Sequence, residues 1–171
     1  MRKEEFTFDS RDQKTKIHAI KWLPETENVV CVVQLVHGMA EYIARYDEFA
    51  RFLAAHGIVV VGNDHLGHGD TAKESGMPFG YFCDQDPATV AVRDVHRLKK
   101  ITQEQYLGVP YMIIGHSMGS FITRNFVHSY GKEIDGAVIC GTGMLPKPLI
   151  QDMSIMVKIL CAVQGEKSIS K

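Results

Sequence analysis

A largely parallel, three-layer α/β fold is what this sequence predicts, and three observations carry that reading. Val29–Val36 and Ile58–Gly62 are nearly continuous apolar runs, the pattern of strands covered on both faces. Such runs alternate along the chain with segments of helical periodicity, the order that builds a parallel sheet with helices on its faces. A further buried-strand pattern, Tyr111–Ile114, runs directly into Gly115-His116-Ser117-Met118-Gly119 and then into a helical pattern.

Taken in order, Phe6–Phe8 and Lys16–Trp22 read as short antiparallel strands joined by the polar turn Ser10-Arg11-Asp12. After the strand Val29–Val36, the periodicity predicts a helix over Tyr42–His56. Its inner face is Tyr46, Phe49 or Ala50, and Leu53, and Gly57 is its stop. Ile58–Gly62 is the next strand. A long helix is expected over Pro87–Tyr106, with Asp86 as N-cap and an apolar stripe of Ala88, Ala91, Val95, Leu98 and Thr102. Then come the strand Tyr111–Ile114, a helix Met118–Tyr130 stopped by Gly131, and a strand Gly136–Cys140. Leu149–Val163 has an apolar face of Leu149, Met153, Met156, Leu160 and Val163. It fits either a helix packed on the core or the first helix of a cap.

Bulk properties exclude several classes. The chain of 171 residues suits one domain and carries a net charge of −1, so electrostatics give no case for nucleic acid or an anionic membrane. No run approaches the roughly eighteen apolar residues of a membrane span, and the N-terminus has no signal-peptide pattern. Cys31, Cys83, Cys140 and Cys161 have no metal-ligand spacing and suit a reducing compartment, so a cytoplasmic location is expected.

The chemistry centres on the G-x-S-x-G. A sharp strand-to-helix turn holds a serine hydroxyl out at the tip of a sheet, which makes Ser117 the candidate nucleophile. Side chains two residues either side would collide across such a turn, hence Gly115 and Gly119. Acyl transfer also needs backbone N–H donors for an oxyanion. Met118, after the serine, supplies one at a helix N-terminus. Met39 supplies the other, from a loop where Gly38 lets the backbone approach closely. Glu41 and Arg45, four apart, are expected to pair on a helix surface. The segment Asn63–Asp70 holds two histidines and two aspartates. Its glycines point to a tight loop in which Asp64 bonds local N–H groups, with no metal and no cofactor required. After Ser117 the next histidine is His128, roughly 16 Å along the same helix and out of reach of the hydroxyl.

Three motifs, His37-Gly38-x-x-Glu41-x-x-x-Arg45-Tyr46, Asp64-His65-Leu66-Gly67-His68-Gly69 and Gly115-His116-Ser117-Met118-Gly119, occur in this order. Together they resemble the monoacylglycerol lipase and lysophospholipase branch of the α/β-hydrolases. The resemblance implies an eight-stranded sheet, a helical cap after the sixth strand, and a serine-esterase mechanism. In it Ser117 is the nucleophile and the N–H groups of Met39 and Met118 are the oxyanion hole. The expected substrate is a small ester or monoacyl lipid, with transient membrane contact through the cap. On this reading residues 1–146 are the N-terminal part of the core and 147–171 the start of the cap. The chain then stops before the last strands, and a C-terminal part or partner chain is needed to complete the triad. Were Lys171 the end of the chain, Gly136–Cys140 would be an unpaired sheet edge. A related hydrolase acting on peptide or carbon–carbon bonds, or a catalytically incomplete binding module, remains open at this point.

Overall fold

The computed structural model describes residues 1–144 and 146–165, so the last six positions of the segment 147–171 lie outside the described residues. Among the described residues six strands form one sheet: β1 (Arg2–Asp9), β2 (Lys16–Leu23), β3 (Cys31–Val36), β4 (Ile58–Asn63), β5 (Tyr111–His116) and β6 (Gly136–Cys140). Their spatial order is β1-β2-β4-β3-β5-β6. The first two strands run antiparallel to their neighbours, and β4, β3, β5 and β6 are mutually parallel. The helices are α1 (Asp47–Ala55), α2 (Gly69–Ser75), α3 (Pro87–Gln103), α4 (Met118–Tyr130) and α5 (Lys147–Gln164). None of the described helices is long and apolar enough to cross a membrane.

The continuous apolar runs are explained by two cores. Val32, Val36, Val59, Val61, Tyr111 and Ile113 pack on one face with Val95 and Leu98 of α3 and Phe126 of α4. Val33, Leu35 and Val60 pack on the other with Ile43 and with Ala50 and Ala54 of α1. Successive strand residues thus bury in opposite layers, so most positions are apolar. The buried Gln34 of β3 is accommodated by donating to the Val95 carbonyl at 3.0 Å and accepting from the Tyr111 hydroxyl at 2.7 Å.

Several local expectations need correction. The helix expected over Tyr42–His56 opens as a 3-10 turn, Ile43–Tyr46, and α1 buries Ala50 and Ala54 while Phe49 is exposed. The loop Asn63–Asp70 runs straight into α2, a helix too short to show periodicity. In α3 the expected stripe member Ala88 is exposed, and Val90, Val92 and Asp94 are buried instead. Asp86 makes no side-chain cap; it sits at φ 45°. Gly131 stays right-handed at φ −59° and passes into a 3-10 turn, so α4 is not stopped by a left-handed glycine. Gly57 does take the left-handed conformation, at φ 79°.

The topology decides where function gathers. Because β4, β3 and β5 are adjacent and parallel, the segments after them, 64–69, 37–41 and 117–119, meet at one edge of the sheet. That C-terminal edge is where open α/β sheets place ligands.

Candidate active site

Ser117 joins β5 to α4 at φ 52° and ψ −118°, a conformation that side chains seldom adopt. Three bonds hold it there. The Ser117 N–H donates to the Cys140 carbonyl of β6 at 3.0 Å, and its own carbonyl accepts from the Ser120 N–H at 2.9 Å and the Ser120 hydroxyl at 2.6 Å. The flanking glycines are required by close approach. A Cβ on Gly115 would lie 2.5 Å from the Gly119 carbonyl oxygen, and one on Gly119 would collide with the Val36 carbonyl.

The second element is the loop after β3. A Cβ on Gly38 would sit 3.1 Å from Ser117 Cβ, so the loop lies directly against the elbow. The fully buried His37 fixes its direction. The His65 N–H donates to His37 Nε2 at 3.0 Å, which places the ring proton on Nδ1, and Nδ1–H donates to the Gly38 carbonyl at 2.7 Å. That carbonyl and the Met39 N–H belong to one planar peptide and point in opposite directions. Pinning the carbonyl into the protein therefore turns the Met39 N–H outward. Burial holds His37 neutral, its pKa pushed down to about 4, so the tautomer persists at neutral pH. The Met39 side chain is 73% exposed and contributes no packing there. Met118 opens α4, where the first N–H groups have no partner inside the helix. The arrangement can therefore present two backbone donors beside one hydroxyl.

Asp64 braces the same edge from β4. Its carboxylate accepts from the Ile43 N–H at 2.7 Å, the Asp70 N–H at 3.0 Å and His18 Nδ1 at 2.9 Å. Only the Asp70 bond fits the local role expected of it. Burial pushes the Asp64 carboxyl up, but these donors outweigh it and leave it below the usual range. Ligand atoms of His18, Asp64 and Asp70 lie within 4.8 Å of one another, yet the Asp64 oxygens already face hydrogen-bond donors.

Glu41 departs most from expectation. It does pair with Arg45, at 3.0 Å, but it is buried, 6% exposed, rather than on a helix surface. Its Oε1 accepts from the Gly38 N–H, from the Tyr46 hydroxyl at 2.8 Å and from His116 Nδ1 at 3.1 Å. Burial pushes its carboxyl up and the bonds from Gly38, His116 and Tyr46 pull it further down, so it stays ionised. Sequence reasoning missed this hub and with it Tyr46 and His116. A signal was present in the spacing: a glutamate three residues after a turn residue reaches back to that residue's N–H, as in a capping box. His116 takes part in this network and not in a bond to Ser117. Among the described residues no imidazole hydrogen-bonds to the Ser117 hydroxyl. A groove of about 550 Å³ lies alongside, lined by Glu41, Arg45, Tyr46, Phe49, Phe52 and His116.

Comparison with known proteins gives this edge a context. The chain is 34% identical over 141 residues to the human monoglyceride lipase, covering 82% of this chain and 43% of that protein. It is 32% identical over 120 residues to a monoacylglycerol lipase of Mycolicibacterium smegmatis, covering 70% and 40%. A solved carboxyl esterase from Bacillus coagulans superposes with a TM-score of 0.87 at 34% identity, over 99% of this chain and 54% of that one. The chain thus spans about two fifths of the length of the curated relatives it matches. A family model described as serine aminopeptidase, S33, matches residues 27–168, and on that match the chain belongs to this family of α/β-hydrolases.

Proposed function

We propose that the protein bearing this chain hydrolyses carboxylic esters through an acyl-enzyme on Ser117. One observation carries the reading: Ser117 is held at positive φ on a strand-to-helix turn. We read the backbone N–H groups of Met39 and Met118 as its oxyanion hole. The Ser117 hydroxyl attacks the ester carbonyl, and the two N–H groups receive the negative charge of the tetrahedral intermediate. The alcohol leaves, and water then releases the acid. The hydroxyl proton must pass to a base, and with no imidazole bonded to Ser117 among the described residues, this reading takes it from outside them. A C-terminal part or a partner chain would supply the histidine and its carboxylate. Residues 1–146 then serve as the nucleophile-bearing part of the core and 147–171 as the start of a cap. A cytoplasmic location belongs to the same reading.

The substrate class we favour is a monoacyl lipid or similar small ester. The names of the human and mycobacterial relatives support it, as do the exposed methionines of α5, which suit an acyl chain. The family's description favours a second reading, cleavage of an aminoacyl amide. A panel of monoacylglycerols, p-nitrophenyl esters and aminoacyl p-nitroanilides separates the two in the full-length protein. Ester turnover at least 100-fold above amide turnover is expected, and abolished by Ser117→Ala. Near-normal turnover in Ser117→Ala, or preference for the amides, overturns the assignment.

A further inference from the structure

We infer that Glu41 is a positioning residue of this site: its carboxylate ties the loop bearing the Met39 donor to the elbow bearing Ser117 and Met118. The inference rests on the reading of Ser117 as nucleophile. Strands β3 and β5 pair in parallel only as far as Val36 opposite Gly115. Beyond that point the ladder no longer sets the distance between the two segments, yet this is where the two N–H donors must keep a fixed separation. No backbone hydrogen bond crosses from 37–41 to 115–119 among the described residues. Side chains provide the link. Glu41 Oε1 accepts from the Gly38 N–H on one side and from His116 Nδ1, at 3.1 Å, on the other. Tyr46 steadies the junction, its hydroxyl 2.8 Å from Glu41 Oε1 and 3.2 Å from His116 Nδ1, and Arg45 occupies Oε2 at 3.0 Å.

Only a carboxylate does this. It accepts every bond and offers no donor, matching one N–H, one O–H, one imidazole N–H and one guanidinium. Glu41→Gln keeps the size and the bond from Gly38 but turns half the group into a donor, so it should restore part of what Glu41→Ala loses. The donors themselves stay in the backbone, so the loss is one of placement, and misplacement by about 1 Å can cost roughly 100-fold in rate.

The test is steady-state hydrolysis of a p-nitrophenyl ester by the full-length protein, with sites counted by fluorophosphonate titration. Per titrated site, kcat should fall about 100-fold in Glu41→Ala and about 10-fold in Glu41→Gln, with KM within about twofold, because the donors act on the transition state. If neither variant folds, Tyr46→Phe removes one hydroxyl and should lower kcat several-fold with KM unchanged. A lower melting temperature with kcat per site unchanged means a purely structural carboxylate and overturns the inference. Ser117→Ala, measured alongside, separates the two failures. If it stays active, the nucleophile reading falls and the inference with it. If it is inactive while the Glu41 and Tyr46 variants turn over normally, only the inference falls.

Discussion

The β3–β4 flank of Ser117 and its β6 flank are built differently. On the first, His37, Glu41 and Asp64 are buried, and each fixes backbone of a neighbouring segment: the Gly38 carbonyl, the Gly38 N–H, and the N–H groups of Ile43 and Asp70. On the second, one backbone bond from Ser117 reaches Cys140, Val138 is exposed at the last described strand of the sheet, and α5 buries no residue. The buried polar contacts therefore gather on the flank that carries the Met39 loop. Preorganised donors are effective because they need not reorient during the reaction.

The largest break in this contrast should come from Asp64→Ala, which strips three donors, two of them buried, of their acceptor. We expect a loss of about 3–5 kcal/mol by urea unfolding. Acid should come next and act on the same flank. The folded-state pKa of His37, about 4, lies below its ordinary 6.5, so its contribution is complete above pH 6.5 and is lost as pH falls towards 4. Its ceiling is about 3 kcal/mol. Asp94 opposes it. Burial raises its carboxyl to about 6, so its contribution is complete below its ordinary 3.8 and lost as pH rises through 6. Asp94→Asn should therefore steepen the acid loss between pH 6.5 and 4, and an unchanged slope in urea melts across that window would refute the opposition. Gly119→Ala pushes a methyl into the Val36 and His37 carbonyls, neither of which can move aside, and should cost about 2 kcal/mol. The smallest effect belongs to the other flank. Val163, 78% exposed on α5, should tolerate serine within about 0.5 kcal/mol. A larger loss there would mean that α5 is covered in solution, and the contrast between the flanks would fail.

What the sequence made legible follows the range of the interactions. Strands β3, β4 and β5 announce themselves by nearly continuous apolar runs, and the elbow by a glycine pattern within five residues. The same chain hides Glu41, because its partner His116 stands 75 residues away and meets it only once β3 lies beside β5. Asp64 likewise reads as a local turn residue until β2 brings His18 against it. In α2, seven residues opening on Gly69-Asp70 leave no room for a period. At Asp86 a good capping residue type takes instead the left-handed backbone that aspartate also tolerates, and makes no side-chain cap.

The central claim, a reactive serine on a preorganised elbow, is tested most directly by treating the full-length protein with a fluorophosphonate probe and mapping the adduct by peptide mass spectrometry. The account predicts one adduct per chain, on Ser117, absent in Ser117→Ala. An adduct on another residue, or ester hydrolysis that proceeds while Ser117 stays unmodified, would contradict it.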